Sequence, residues 1–365
     1  MKICFVGNCQ NVHLRRWVKY FESESDTVKV ISNVSCRDRN CLFVRDVLPS
    51  NLGFFTRIPK IGFLISSFFL SRYLRSSKFD LIHIHSLDEI GLAVGIAFLN
   101  HFAPLVVSTW GSDILGPRRL LSRLARRYVL QKADLVTATS DFLTKETRKL
   151  SPAIERIEVV PFGVDLNLFD PKRFRKDKPN DNILRIGFFK HLKEVYGPEY
   201  LIKAFAISSK KFNNAELFLA GKGELRTNLE KLSQKLDLHE RVHFLGFIEN
   251  VPEVMASMDI TVMPSLRESF GVAALESEAL EVPVVATKVG GIPEVVLDGE
   301  TGILVTPLDE KALAEAMIKL LSSKELRLRM GKAGRDFVSK NYDWRKNASR
   351  MGKLYEKLLK LNKNI

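Results

Sequence analysis

The stretch MPSLRESFGVAALESEALEVPVVATKVGGIPEVVLDGETGILV, Met263 to Val305, decides the fold. An apolar run from Asp259 to Met263 stops at Pro264 and Ser265, a polar loop follows, and a helix opens at Phe270 and Gly271 with Glu276 in its second turn. Pro283 to Thr287 reads as the next strand, Val289 to Glu294 as a glycine loop, and Ile303 to Val305 as a closing strand. Strand, loop, helix and strand in this order predict a parallel sheet flanked by helices. Amides at a helix start lack intrahelical partners and lie at the positive end of the dipole, so those of Ser269, Phe270 and Gly271 are placed to receive a hydroxyl or phosphate. Glu268 lies in the loop and Glu276 on the helix, so two carboxylates can face one ligand from different sides. Carboxylates suit vicinal hydroxyls.

Glu268 and Glu276 form an E-x7-E pair, accompanied in order by FG at 270–271, PVVAT at 283–287, GGIPE at 290–294 and DGETG at 298–302. On these residues the stretch resembles the nucleotide-sugar motif of the family-4 retaining glycosyltransferases of the GT-B fold. The resemblance implies an α/β protein of two doubly wound, Rossmann-like domains facing a central cleft. Residues 1–170 would form an acceptor-binding domain to which a helix over 346–365 returns, and 171–345 a donor-binding domain. It also implies that Glu276 binds the ribose of the donor and that Glu268 contacts the transferred sugar. Two solvated glutamates beside an ordinary helix are the structural alternative.

Upstream, apolar strands alternate with helical patterns throughout. Lys2 to Gly7 is a strand, and Asn8 to Asn11 is the loop at its carboxyl end, where open parallel sheets bind ligands. Gly7 is followed by NCQNVH, so the G-x-G-x-x-G of a dinucleotide fold is absent, which argues against an oxidoreductase. In DLIHIHS, 80–86, His83 and His85 share one face of a strand. A metal needs a third ligand that the sequence does not offer, so His85 is read as touching substrate and no metal is expected. PLVVSTWGSD, 104–113, ends a strand in a loop with Trp110, Gly111 and Asp113. In the resembling family a histidine commonly precedes this glycine and contacts the donor sugar. Here Trp110 stands there, leaving Asp113 either as the polar catalytic candidate or as a cap of the following turn. Gly7, Asn8, His85 and Trp110 are therefore the acceptor-side candidates.

The stretch DPKRFRKDKPNDN, 170–182, is charged, holds two prolines and lacks apolar periodicity, and reads as an interdomain linker. After the strand Ile183 to Phe188, the loop FFKHLKEVYGPEY takes the place of the family's phosphate loop. Lys190 matches the first cation and Lys193 the second, while Tyr196 occupies the commonest lysine position; Lys193 is equally readable as a solvated surface lysine. The resemblance places Gly246 and Phe247, at the end of VHFLGFI, near the nucleotide base. Catalytic candidates are thus Glu268, Asp113 and Lys190. Donor-binding candidates are Lys190, Lys193, Gly246, Phe247, Ser269, Phe270, Gly271 and Glu276.

A chain of 365 residues with 45% hydrophobic content affords two domains. Cys4, Cys9, Cys36 and Cys41 show no metal-ligand spacing, and Cys36 and Cys41 are a reducible pair or free thiols. No charged-then-apolar export signal opens the chain, and the run Ile61 to Leu70 is about half the roughly 20 residues a membrane span needs. The net charge of +14 is uneven: residues 1–176 carry +11 and 177–365 only +3. Residues 52–79 mix Phe54, Phe55, Phe63, Phe68 and Phe69 with Arg57, Lys60, Arg72, Arg75 and Lys78, and Arg118, Arg119, Arg123, Arg126 and Arg127 form a second basic run. Such segments are interfacial helices or core helices with cationic ends.

The resemblance implies a retaining glycosyltransferase of hexosyltransferase type, and the lysines and helix amides, which can neutralise the leaving group, make it metal-independent. It needs no cofactor beyond the nucleoside-diphosphate sugar it uses as donor, and its acceptor is a glycan or lipid-linked hydroxyl. The expected location is cytoplasmic, peripheral at the inner face of the cell membrane. The rivals are a GT-B sugar-nucleotide epimerase or phosphorylase and a non-enzymatic basic module. Cations paired with long apolar runs suit lipid, and no nucleic-acid partner is expected.

Overall fold

The computed structural model describes residues 1–34, 41–44, 59–97, 103–116, 120–174 and 181–362, with side chains of the helix that starts at Pro59 described from Ile65. Cys36, Phe54, Phe55, Arg57, Arg118 and Arg119 lie outside the described residues, as do the side chains of Lys60 and Phe63. Internal packing divides the chain into Met1–Pro161 with Asn347–Ile365, and Phe162–Lys346.

The first unit runs β1 (Lys2–Val6), α1 (Val12–Ser23), β2 (Thr27–Ser32), β3 (Cys41–Phe43), α2 (Pro59–Ser77), β4 (Leu81–His85), α3 (Glu89–Ala97), β5 (Leu105–Thr109), α4 (Ser112–Leu115), α5 (Leu120–Lys132), β6 (Leu135–Ala138), α6 (Asp141–Leu150) and β7 (Ile157–Val159). The strands form one parallel sheet in the order β3-β2-β1-β4-β5-β6-β7. Strands β4, β5 and β6 are buried on both faces, which is why their apolar residues do not simply alternate with exposed ones, and the polar side chains among them, His83, His85, Ser108, Thr109 and Thr137, are buried too. Asn11 starts α1 by accepting from the amides of His13 and Leu14, and Ser140 starts α6 by accepting from Leu143.

The second unit runs α7 (Pro171–Phe174), β8 (Leu184–Phe189), α8 (Pro198–Ser208), β9 (Ala215–Ala220), α9 (Arg226–Lys235), β10 (Val242–Gly246), α10 (Val251–Ala256), β11 (Ile260–Met263), α11 (Val272–Ala279), β12 (Val284–Thr287), α12 (Ile292–Val295), β13 (Gly302–Val305), α13 (Glu310–Leu321) and α14 (Lys324–Asn341). Its parallel sheet has the order β10-β9-β8-β11-β12-β13. Residues 162–170 belong here because Arg335 donates to the carbonyls of Phe169 and Leu166, and Val164 bridges Asp343. Within the stretch 170–182, expected as a linker, Pro171–Phe174 form the short helix α7, and residues 175–180 lie outside the described residues. The last helix, α15 (Trp344–Asn362), belongs to the first unit from Asn347 onward, where Tyr355 packs on Phe21 and His83.

Candidate functional site

An open parallel sheet binds ligands at the carboxyl ends of its strands, where the strand order reverses. In the second unit that point lies between β8 and β11. The loops after these strands carry Lys190 and Glu268, and Nζ of Lys190 stands 2.7 Å from Oε2 of Glu268. Burial opposes the Lys190 ammonium, but the charge and hydrogen bond of Glu268, with smaller help from Tyr196 and Glu276, outweigh it and hold its pKa above the ordinary lysine value. The ring of Tyr196 lies beneath it, 5.1 Å from Nζ to the centroid. Three of the expected residues, Lys190, Glu268 and Glu276, thus share one electrostatic environment although they come from two loops and a helix.

The loops are tied to one another by their backbones. Leu266 N donates to the Val195 carbonyl at 2.9 Å and Gly291 N to the Glu268 carbonyl at 3.3 Å, while the Thr287 hydroxyl donates to the Ser265 carbonyl at 2.5 Å. A Cβ at Gly291 would stand 2.3 Å from the Ser269 carbonyl oxygen, so the glycine loop lies against the E-x7-E loop only without a side chain. Gly271 starts α11 at φ 108°, a left-handed conformation, and no side chain caps the helix. The Ser269 amide is already engaged, donating to Oε1 of Glu268 at 3.2 Å. Phe270 is buried against Phe162 and Tyr342, so its ring is core and only its backbone is placed to serve a ligand.

At the end of β10, Gly246 accepts from Gly221 N at 2.7 Å, and Phe247 beyond it is 70% exposed, with Nζ of Lys222 5.7 Å from its ring centroid. Lys222 is a residue that the sequence reading passed over. Its place in the GKG turn after β9 was the available signal. Lys193 is exposed and makes no ion pair among the described residues, so the structure does not bring it to Glu268 as it brings Lys190.

In the first unit the strand order reverses between β1 and β4, and the loop Gly7–Asn11 and His85 stand at that point. Asn8 is exposed and its side chain accepts from the Gln10 amide. His85 differs from expectation. Its ring is buried among Phe5, Trp17 and Trp110 and lies 3.8 Å from that of His83, both its nitrogens lack partners, and burial lowers its pKa to about 3. The His85 imidazole is therefore neutral and enclosed rather than open to solvent. His83 bonds the Tyr355 hydroxyl through Nδ1 and Ser108 Oγ through Nε2 at 2.7 Å, so both its nitrogens are committed inside the unit. Asp113 is likewise buried, and its carboxylate accepts from the amides of Leu87, Trp110 and Gly111. Asp113 lies within α4, which no side chain caps, so it does not cap the following turn; its bonds run back to the loop that carries half-buried Trp110 and across to Leu87. Among the described residues no three His, Cys, Asp or Glu side chains gather as a metal site would require.

Residues 169–337 match the family described as Glycosyl transferases group 1, and residues 2–140 match Glycosyl transferase 4-like. The chain belongs to the group 1, family-4 glycosyltransferases. It is a GT-B enzyme that transfers a sugar from a nucleotide-sugar donor, within a retaining, metal-independent family. It is 29% identical over 306 residues to N-acetyl-alpha-D-glucosaminyl L-malate synthase of Bacillus anthracis, covering 81% of this chain and 79% of that one. To D-inositol 3-phosphate glycosyltransferase of Corynebacterium glutamicum it is 26% identical over 347 residues, covering 88% and 80%. Its fold matches Anabaena HepE in complex with UDP-glucose at a TM-score of 0.80 and 23% identity, covering 98% of this chain and 100% of that one. Among the described residues no helix of this glycosyltransferase is long and apolar enough to cross a membrane.

One buried carboxyl of the glycosyltransferase escaped the sequence reading. Glu278 faces inward from α11; Oε1 accepts from the Thr301 hydroxyl at 2.6 Å, Oε2 has no partner, and burial raises its pKa well above 4.5. The folded state holds this proton where the unfolded chain releases it. Stability is therefore present in full below about pH 4.5 and falls as pH rises toward the folded pKa. Glu278→Gln keeps the shape and removes the titration. Its melting temperature relative to wild type is expected to climb from pH 5 to pH 8, and a constant difference across that range would show that Glu278 is not buried as a neutral acid.

Proposed function

We propose that the second unit holds the donor between the loops after β8 and β11. The meeting of Lys190 and Glu268 at the reversal of strand order, within electrostatic reach of Glu276, carries this reading. Lys190 gives up Glu268 for the donor diphosphate and neutralises the charge that grows on it as the glycosidic bond breaks. Glu276 accepts from the ribose hydroxyls. Glu268 faces the transferred sugar, where its charge favours an oxocarbenium-like state. The base lies on Phe247, beside Lys222. Membership of a retaining family supports front-face chemistry, in which the acceptor hydroxyl attacks from the face the diphosphate leaves. The bond from the anomeric carbon to the phosphate oxygen breaks, a bond to the acceptor oxygen forms, and the hydroxyl proton passes to the departing phosphate.

The first unit receives the acceptor near Gly7, Asn8 and Trp110. That acceptor is a glycan or a lipid-linked sugar, reached from the cytoplasmic face of a membrane. UDP-glucose and GDP-mannose are named for relatives. A thermal-shift screen of such nucleotide sugars tests the donor assignment, since a ligand at 100 times its dissociation constant stabilises by about 2.7 kcal/mol. No shift with any nucleotide sugar would contradict it. Phe247→Ala is expected to weaken nucleoside-diphosphate binding by roughly 1–3 kcal/mol, the usual worth of a base stacked on an aromatic ring. Calorimetric titration reads this directly, and unchanged affinity would remove the base from Phe247.

A further inference from the structure

Helix α5 in the first unit has an inner face, where Val129 and Leu130 join the core, and an outer face that breaks the usual pattern. Leu120, Leu121 and Leu124 are 71, 73 and 52% exposed. Single exposed leucines are ordinary on protein surfaces. Three within five residues at one end of a helix are not, because each leaves apolar area in water that burial would stabilise. Arg123 and Arg127 are exposed on the same helix, Arg127 standing two turns beyond Leu120. Arg126 differs: it turns to Ser122.

A second helix repeats the arrangement. Helices α2 and α5 both pack on α3, whose residues are almost all buried. On α2, Leu70 and Leu74 point inward, while Phe68, 65% exposed, shares a stripe with exposed Arg72 and Arg75 at i, i+4 and i+7. Neither helix contains an acidic residue, in the half of the chain that carries +11 of the net +14. Two outer faces in one layer therefore each pair bare apolar side chains with arginines. A protein partner or a second copy would meet the leucines, but without acids on these helices a second copy would set arginine against arginine. An anionic bilayer satisfies both features together, taking the leucines into its headgroup boundary and the guanidinium groups among its phosphates.

We infer that the outer face of α5, with Leu120, Leu121 and Leu124 as the inserted element and Arg123 and Arg127 as its electrostatic guide, docks this enzyme on an anionic lipid bilayer. The exposed stripe of α2 supports it. The inference rests on the lipid-linked acceptor of the proposed function, for which it supplies the docking surface.

Sedimentation of the full chain with phosphatidylcholine vesicles, with and without phosphatidylglycerol, is the test. Wild type is expected to pellet with the anionic vesicles and to be released by salt. The double variant Leu121→Ser with Leu124→Ser should partition roughly tenfold less or weaker still. Arg123→Gln and Arg127→Gln should each cost roughly fivefold, on anionic vesicles only. The inference is overturned if wild type stays in the supernatant, or if the leucine variant pellets as wild type does. It is equally overturned if sedimentation velocity shows a dimer that this variant dissolves, since a second copy then owns the face. Nucleoside-diphosphate titration accompanies each sample. Intact binding shows that the variants fold, and absent binding in wild type counts against the donor assignment alone, leaving the vesicle result to decide the surface.

Discussion

Lys190→Gln is expected to lower turnover by roughly 10²- to 10³-fold, the loss seen when one preorganised partner of a developing negative charge is removed. The magnitude follows from where Lys190 sits. Its ammonium is largely sheltered, held on one side by Glu268 at 2.7 Å and underlain by Tyr196, so its charge acts through protein rather than through water. A diphosphate entering there meets a cation that needs little reorganisation. The substitution also strands Glu268 in a sheltered place without its partner, which is costly in its own right. Donor KM should therefore rise as kcat falls. Lys190→Arg should not restore wild-type rates, because a planar fork does not replace a point charge over the Tyr196 ring. Steady-state kinetics with the selected donor decide the matter, and turnover within threefold of wild type would place the leaving group elsewhere.

How far the sequence led depends on which interactions are local. The strands of the second unit were legible because short apolar runs are bounded by turn residues, ITVM stopping at Pro264 and Ser265 and VVAT leading into Gly290 and Gly291, a pattern that buried parallel strands carry. Strands β2 and β3 were not read: Thr27, Lys29 and Ser32 interrupt the apolar run of the first, TVKVIS, and the second is only three residues long. The E-x7-E spacing named Glu268 and Glu276, and the phosphate-loop position named Lys190. Nothing local could show that Lys190 and Glu268, 78 residues apart, form an ion pair, since that depends on β8 and β11 being neighbours. His83 and Tyr355, 272 residues apart, meet for the same reason, and with Ser108 the tyrosine engages both nitrogens of His83 inside the core. Asp113, open in the sequence between a catalytic role and a cap of the following turn, instead accepts from the preceding amides of Trp110 and Gly111 and from Leu87, 26 residues away, a contact that only the packing of the loops after β4 and β5 provides. Glu278 was hidden because two glutamates at i and i+2 look alike on paper, although α11 turns Glu278 into the core and leaves Glu276 half-buried.

The paired glutamates supply the other large effect. Glu276→Gln removes charge-assisted hydrogen bonds to the ribose and is expected to weaken nucleoside-diphosphate binding by roughly 1.5–3 kcal/mol. Glu268→Gln is expected to lower turnover while leaving that affinity nearly intact, because its charge acts on the sugar in the transition state more than in the ground state. Releasing Lys190 from its ion pair should, if anything, favour the diphosphate. Both substitutions are isosteric, Glu276 being half-buried and Glu268 sheltered beside Lys190, and both variants should fold.

The donor assignment is tested most directly by calorimetric titration of wild type, Glu268→Gln and Glu276→Gln with the nucleoside diphosphate of the donor chosen by thermal shift, read beside their turnover numbers. The expected result is one site in wild type, an affinity loss confined to Glu276→Gln and a turnover loss in Glu268→Gln at near-normal affinity. Affinity lost in Glu268→Gln and kept in Glu276→Gln would reverse the two roles, and full activity with unchanged affinity in both would place the donor site away from these loops.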